Sequence, residues 1–180
     1  MKKVSEKRYR LSHPESGYDR RVTVKQFRLP NGMIDTFFVD NNKDSVQIFA
    51  ITTDDKVIMV KQFRPGTEKT ELELPGGGVD KLEDDDLVSA AERELLEETS
   101  YAGGSIVYLR SVPYTPYSTG RRHMFLATGC EQVSKKLDLD ENEVLVPVLL
   151  PIEEARELMK EAGFRGYDCA YLALDKLGKL

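Results

Sequence analysis

The stretch that decides the fold is Gly76–Tyr101, which reads GGGVDKLEDDDLVSAAERELLEETSY. It opens on three glycines, continues through an acidic loop and ends in a helical pattern predicted over Leu87–Thr99. On that helix Glu94, Glu97 and Glu98 stand at i, i+3 and i+4, so they share one face. The pattern therefore predicts a helix that presents a cluster of carboxylates.

This carboxylate cluster has two interpretations. Val88, Ala91 and Leu95 form an adjacent apolar stripe, which predicts that the helix packs on a core. Like charges at i and i+4 cost an isolated helix about 0.2–0.5 kcal/mol, so the cluster needs water or a cation beside it. Magnesium is normally held by a few carboxylates together with substrate phosphates, which indicates a phosphate-bearing substrate. The alternative is a solvated acidic face on which Arg93 pairs with Glu97.

The three glycines favour the metal site. Gly76, Gly77 and Gly78 directly follow a strand predicted over Thr70–Leu74. Without side chains their backbone is bare, so a carbonyl oxygen can reach a metal and an amide can reach a phosphate. A tight turn alone would also use glycine. The combination of glycine turn, acidic loop and carboxylate helix within 26 residues is what indicates metal and phosphate chemistry.

The segments on either side predict the rest of the fold. Short β-rich runs precede the glycines, at Val22–Leu29, Met33–Val39, Ser45–Thr52 and Lys56–Phe63. Three strands and two helices follow the central helix, at Ser105–Ser111, Met124–Thr128, Val144–Leu150, Ile152–Ala162 and Tyr167–Lys176. This order predicts an α/β (α+β) fold with a mixed sheet covered by helices. The Asn41–Asp44 turn is the expected boundary between an N-terminal β lobe, residues 1–44, and the main domain, residues 45–180.

Composition excludes several classes of protein. With 180 residues, 40% hydrophobic and 32% charged, the chain is long enough for one compact domain and too apolar to be disordered. The net charge of −5 argues against a nucleic acid polymer as partner, and no apolar run reaches the roughly 18 residues of a membrane span. Cys130 and Cys169 are the only cysteines and no secretory signal is evident, so we expect a reducing, cytoplasmic location.

The decisive stretch resembles the signature of the Nudix hydrolase family, GX5EX7REUXEEXGU, in which U is aliphatic. The match is complete over Arg93–Glu98. Counting back from there places the first family glycine on Val79, so the loop Asp80–Asp86 is expected to be one or two residues longer than in the family. Either Glu83 or Asp85 would fill the family's isolated Glu position.

The end of the signature departs from the family pattern. Ser100 stands in place of the late glycine and Tyr101 in place of the closing aliphatic residue. A non-glycine residue in a left-handed helix end costs on the order of 1–2 kcal/mol. We therefore expect the turn either at Ser100 itself or displaced to Gly103 and Gly104.

The resemblance implies a metal site and its ligands. Glu94, Glu97 and Glu98 would bind Mg²⁺ with help from the Gly76 carbonyl, and Mn²⁺ is a possible substitute. Arg93 would orient these carboxylates through hydrogen bonds.

Upstream residues narrow the resemblance to one branch. Val60–Pro65, VKQFRP, followed by the Glu71–Pro75 strand, ELELP, is similar to the ADP-ribose and nucleoside-diphosphate-sugar pyrophosphatases. That branch implies a Nudix α/β/α sandwich and a homodimer in which the N-terminal sheet is packed or exchanged across the interface. Arg64 would bind the diphosphate or the terminal ribose, the alternative being a surface salt bridge at a strand end. Glu141 or Glu143 would be the catalytic base, unless their acidic loop is simply solvated.

The loop Val112–Arg122 is the most turn-rich segment, and such loops commonly carry specificity. Tyr117 could stack on a base or ribose, and Arg121 could bind phosphate. Pro116 lies near the position where ADP-ribose members have proline, whereas Tyr117 lies near the position where dinucleoside-polyphosphate members have tyrosine. These two residues therefore do not decide which of the two substrate classes the protein uses. His123 is assigned no role.

The expected function is magnesium-dependent hydrolysis of the diphosphate linkage in ADP-ribose or a related nucleoside diphosphate sugar, a small-molecule nucleotide. The products would be a nucleoside monophosphate and a sugar phosphate. Two alternatives remain: hydrolysis of oxidised nucleoside triphosphates or dinucleoside polyphosphates, and non-catalytic sensing of a nucleotide sugar.

Overall fold

The computed structural model describes residues 1–14, 19–79, 86–139, 144–161 and 164–180. These residues form ten strands and three helices. In chain order the elements are β1 (Lys2–Leu11), β2 (Arg20–Arg28), β3 (Ile34–Asp40), β4 (Ser45–Thr52), β5 (Lys56–Arg64), β6 (Lys69–Glu73), α1 (Leu87–Thr99), β7 (Tyr101–Ala102), β8 (Ser105–Pro113), β9 (Arg121–Gln132), β10 (Leu145–Pro151), α2 (Ile152–Leu158) and α3 (Tyr167–Lys176).

The chain divides into two units. The N-terminal unit comprises Met1–Asp44 and Val112–Arg122, and the main unit comprises Ser45–Ser111 and His123–Leu180. The segment Val112–Arg122 lies within the 45–180 domain of the sequence-based prediction, yet here it joins the N-terminal unit. No helix within the described ranges is long and apolar enough to cross a membrane.

The N-terminal unit is built on an antiparallel sheet of three strands in the order β1-β2-β3. The segment Val112–Arg122 is tied to the end of β3. The Asp40 amide donates to the Tyr117 carbonyl at 2.8 Å, and the Thr119 amide donates to the Asp40 carbonyl at 2.9 Å. The rings of Phe37 and Tyr117 stack with their centroids 6.5 Å apart.

The main unit contains a seven-stranded sheet in the order β10-β5-β4-β9-β7, with β6 paired to β5 and β8 paired to β9. Its core lies on β4 and β5, whose central residues are buried in unbroken apolar runs. Strands buried on both faces lose the alternation of half-buried strands, which is the pattern seen here. The predicted α/β class with a mixed sheet is confirmed.

Helix α1 packs on this sheet through Ala90, Ala91 and Leu95, which are buried with residues of β4 and β9 in one cluster. The predicted stripe included Val88, which is 39% exposed, so that part of the prediction was wrong. At 100° per residue the buried stripe is centred closer to Ala90 than to Val88. This rotation carries Glu94 and Glu98 inward with the apolar residues.

Ser100 ends α1 in the left-handed conformation, with φ 59° and ψ 21°. The turn is therefore at the serine and is not displaced to the later glycines. Its amide donates to the Leu96 carbonyl at 2.8 Å, and its hydroxyl donates to the Lys136 carbonyl at 2.8 Å. The Val133 amide donates to the Ser100 carbonyl at 2.9 Å, so the main chain and side chain of Ser100 are all hydrogen-bonded. These bonds offset the backbone strain of a left-handed serine.

Candidate active site

The glycine turn lies directly against strand β4. The Val46 amide donates to the Gly77 carbonyl and the Ile48 amide donates to the Pro75 carbonyl, both at 2.9 Å. Gly76 has φ +152°, and a Cβ built on it would lie 2.2 Å from the Val46 carbonyl oxygen. Only glycine fits a backbone approach this close at a positive φ.

Two glutamates of α1 point at this turn. Glu98 is only 3% exposed, and its Oε2 accepts a hydrogen bond from the Gly76 amide at 2.8 Å. Glu94 is 8% exposed, and a Cβ on Gly77 would lie 2.3 Å from its Oε2. The bare backbone of the turn thus makes room for one carboxylate and donates a hydrogen bond to the other. Their spacing of one helical turn directs both side chains to the same place.

Arg93 links this helix to the turn. Its Nη1 donates to Glu94 Oε1 at 2.9 Å and to Glu97 Oε2 at 2.8 Å, and its Nη2 donates to the Gly78 carbonyl at 3.1 Å. The pairing of Arg93 with Glu97 that the solvated-face interpretation required is therefore present. The same guanidinium also donates a hydrogen bond to Glu94, and the family resemblance implies that Arg93 orients these carboxylates.

The donor set suits a hard divalent cation, because carboxylate and carbonyl oxygens are the ligands such ions prefer. Glu94 and Glu98 converge on the turn, whereas Glu97, with a side chain 34% exposed, turns toward Arg93. Among the described residues no three acidic, histidine or cysteine side chains are already gathered as a complete metal cage. Two of the three predicted glutamate ligands are thus directed at the turn, and the third is held by Arg93 through its Oε2.

Arg64, expected to bind substrate, forms a bidentate ion pair at the end of β5. Its Nε and Nη2 donate to the two oxygens of Glu73 at 2.7 Å each, and Glu73 is buried. The Glu73 carboxylate raises the pKa of Arg64, and Glu98 and Glu71 add smaller electrostatic contributions. Arg64 is therefore within electrostatic reach of Glu98. The alternative interpretation of Arg64 was a salt bridge at a strand end, and the structure contains that salt bridge.

Sequence reasoning missed Glu73. Arg165 continues the network, since its Nε lies 2.7 Å from Glu71 Oε2 and 4.0 Å from Glu73 Oε1. The available signal was the alternation of Glu71 and Glu73 on β6, because alternate residues of a strand share one face. Neither carboxylate was matched to Arg64 because their partnership depends on the hairpin between β5 and β6.

The remaining predicted residues lie elsewhere or outside the described ranges. Tyr117 and Arg121 belong to the N-terminal unit, where the Arg121 amide donates to Asp44 Oδ1 at 2.9 Å. Glu141 and Glu143 lie outside the described residues, as do the two candidates for the isolated Glu of the signature. His123, which was assigned no role, is buried beside the ring of Tyr108.

Comparison with known proteins places this arrangement in a family. The NUDIX domain matches residues 41–172. The chain is 31% identical over 161 residues to the ADP-ribose pyrophosphatase of Bacillus subtilis (strain 168), covering 89% of this chain and 86% of that protein. It is also 31% identical over 161 residues to the methanol dehydrogenase activator of Bacillus methanolicus, with the same coverage of 89% and 86%.

A solved structure described as an ADP compounds hydrolase has the same fold. It superimposes with a TM-score of 0.80 at 22% identity, covering 100% of this chain and 98% of that one. The chain therefore belongs to the Nudix family. Members of that family generally use a divalent metal, and a small nucleotide substrate fits the family.

Proposed function

We propose that this protein hydrolyses the diphosphate linkage of ADP-ribose or a related nucleoside diphosphate sugar in a Mg²⁺-dependent reaction. Water adds across one P–O–P bridge, giving a nucleoside monophosphate and a sugar phosphate. The observation that carries the proposal is the convergence of buried Glu94 and Glu98 on the Gly76–Gly77 backbone. The similarity to a bacterial ADP-ribose pyrophosphatase over 89% of the chain supports this choice of substrate.

The proposed ligands are Glu94, Glu97 and Glu98 with the Gly76 carbonyl. A bound Mg²⁺, or Mn²⁺ in its place, supplies neutralisation of diphosphate charge and a lower pKa for a bound water. The chain's own contribution is positioning. Arg93 restrains Glu94 and Glu97, and the Gly76 amide restrains Glu98, so the carboxylates are held before substrate arrives.

Arg64 is the proposed diphosphate anchor of the main unit. Its two bonds to Glu73 use Nε and Nη2, so Nη1 is the edge assigned to a phosphate oxygen. Burial of Glu73 keeps that edge in a constant direction, which lowers the entropy cost of binding.

Further roles come from the family resemblance. Tyr117 is proposed to stack on the base or ribose, Arg121 to bind phosphate, and Glu141 or Glu143 to act as the base that activates water. We further propose that the protein is a cytoplasmic homodimer, with residues 1–44 forming the lobe that mediates pairing and residues 45–180 forming the catalytic domain.

The test compares Glu98→Gln with Glu92→Gln. Both remove one negative charge from α1, but Glu92 is exposed, whereas Glu98 is buried and accepts a hydrogen bond from the Gly76 amide. Release of AMP and ribose 5-phosphate from ADP-ribose is measured with MgCl₂ and with EDTA, beside a panel of other nucleotides. Glu98→Gln should lose more than about 100-fold in rate, because residues that only orient metal ligands already contribute about 10–100-fold. The proposal would be contradicted if EDTA did not lower the rate of ADP-ribose hydrolysis, or if the two variants hydrolysed ADP-ribose at equal rates.

A further inference from the structure

A cleft of about 410 Å³ lies wholly within the N-terminal unit, and its lining is strongly basic. The side chains that matter here are Arg8, Arg10, Arg21, Lys43, Asn41 and Tyr9. The volume falls within the range of about 300–1,000 Å³ that is typical of small-molecule sites. None of these side chains is assigned a role in the hydrolysis proposed above.

Strand register explains why the cations gather. Arg10 on β1 is directly opposite Arg21 on β2. Arg8 is two residues before Arg10 and therefore lies on the same face of the sheet. Like charges directly opposite one another destabilise a strand pair. The sheet thus carries an electrostatic cost that its own fold does not require.

Nearby carboxylates relieve only part of that cost. Asp19 forms an ion pair with Arg10, and a Glu6 oxygen lies 3.5 Å from Arg8. The Arg21 guanidinium forms no hydrogen bond or ion pair with any residue in the described part of the chain. A positive charge facing the cleft is therefore left for an external anion.

The charge of the whole N-terminal unit acts in the same direction. Its sequence holds twelve Lys and Arg residues against six Asp and Glu residues, although the entire chain has a net charge of −5. A local excess of one sign concentrates counter-ions at the surface that carries it. The N-terminal unit is therefore basic, although the chain as a whole is acidic.

We propose that this cleft binds a small phosphate-bearing anion. Guanidinium groups bind phosphate oxygens in paired, charge-assisted hydrogen bonds, and Arg10 with Arg21 would supply two such groups from adjacent strands. The Asn41 side chain is held in place at the cleft by hydrogen bonds of 2.8 and 3.0 Å with Thr23 and adds a neutral polar group. The anion removes the repulsion between the paired arginines, so binding and local stability are coupled.

The test uses inorganic pyrophosphate in EDTA, so that divalent metal bound at the glutamates does not contribute. Isothermal titration calorimetry compares the wild type with Arg21→Gln and Arg28→Gln. Arg28 is the matched control, because it is an exposed arginine of the same strand that points to the opposite face and bonds the Gly32 carbonyl at 3.1 Å. Arg21→Gln should weaken binding about tenfold or more, as expected for loss of a charged hydrogen bond, and Arg28→Gln should leave it unchanged.

Thermal melting provides a second readout. Without pyrophosphate Arg21→Gln should melt no lower than the wild type, because it removes a repulsive pair, and the rise in Tm with pyrophosphate should shrink. Absence of binding by the wild type, or equal weakening by both variants, overturns the proposal. So does binding that is lost in Glu98→Gln and kept in Arg21→Gln, since the anion would then sit at the glutamates. Tight binding of a DNA oligonucleotide that pyrophosphate does not displace would also overturn it. None of these measurements depends on hydrolysis, so the anion-binding proposal can fail while the proposed hydrolytic function stands.

Discussion

Replacement of Gly77 by alanine should disable the active site without unfolding the protein. The new Cβ would lie 2.3 Å from Oε2 of Glu94, 2.5 Å from its Cδ and 2.6 Å from its Oε1. Ordinary contact begins at 3.4 Å, so the carboxylate must retreat by about 1 Å. The side chain can move because a glutamate end is flexible, and its new position breaks the alignment with Arg93.

The magnitude follows from the geometry of catalysis. A displacement of about 1 Å in a catalytic arrangement costs about 100-fold in rate, so kcat/KM for ADP-ribose should fall by about two orders of magnitude. Stability should change far less. Gly77 is not among the residues with positive φ, so alanine is conformationally allowed there and restricts the unfolded chain, which commonly contributes about 0.4–1 kcal/mol.

Gly78→Ala is the matched control. Gly78 also lacks a positive φ, and a Cβ there would meet no atom within 4 Å. Hydrolysis of ADP-ribose is followed over a range of MgCl₂ concentrations for both variants, with urea unfolding in parallel. Equal kcat/KM for the two variants, or a loss of activity in Gly77→Ala that only matches a loss of folded protein, would show that the Glu94 carboxylate is not displaced from a catalytic position.

Three further outcomes test other parts of the structure. Glu73→Gln should lower Tm by several degrees, because breaking a buried ion pair costs about 3–5 kcal/mol, and less here since Arg64 is partly exposed. The variant should also raise KM more than it lowers kcat, because Arg64 is the proposed diphosphate anchor. Asp86→Ala should unfold at a lower urea concentration than the wild type, because the helix loses its N-cap. Hydrogen bonds from Ser89 hold the pKa of Asp86 below its usual value, so this difference should persist above the ordinary Asp pKa and vanish as pH falls through the lower folded value. Burial raises the pKa of the Cys130 thiol to about 11, so a thiol reagent at pH 8 should label it only as the chain unfolds, and fast labelling of native protein would contradict the buried position.

Elements with a strong local pattern were predictable from sequence. The predicted bounds of α1, β4 and α3 agree with the structure. In α1 the local signals are complete, because Asp86 accepts a hydrogen bond from the Ser89 amide at the start and Ser100 closes the end. In β4 a nearly continuous apolar run ends in the turn at Asp54 and Asp55, so both bounds are encoded nearby.

Elements that depend on distant partners were not predictable. All ten residues of β1 are exposed, so the strand shows no apolar alternation and was missed. It exists because its backbone pairs with β2 along nearly its whole length. Helix α2 was expected to reach Ala162 but ends at Leu158, after its last buried residue, Ala155. The helix-favouring sequence continues beyond Leu158, but the buried contacts of the helix do not. Tertiary packing therefore decides where a helix of this kind ends.

The residues of the candidate site also fall into those that local sequence predicts and those that depend on distant partners. The placement of Glu94 and Glu98 on one face followed from their spacing, and the family resemblance singled out Arg93, which donates a hydrogen bond to Glu94. The Arg64 and Glu73 pair could not be found in this way, because it joins two strands through a hairpin. Side-chain partnerships across a sheet depend on register, and the sequence does not state register directly.

The burial of Glu94 and Glu98 is itself an argument for function. Each carboxylate loses most of its hydration, and its hydrogen bonds, which include those from the Gly76 amide to Glu98 and from Arg93 to Glu94, offset that cost. Apolar side chains of similar volume in place of buried ion pairs are often neutral or stabilising, so stability alone does not favour glutamate at these positions. The Glu98→Gln experiment therefore has a second use. If the carboxylate serves chemistry, the variant should unfold at an unchanged or higher urea concentration while its rate collapses, whereas a structural carboxylate would lose stability and rate together.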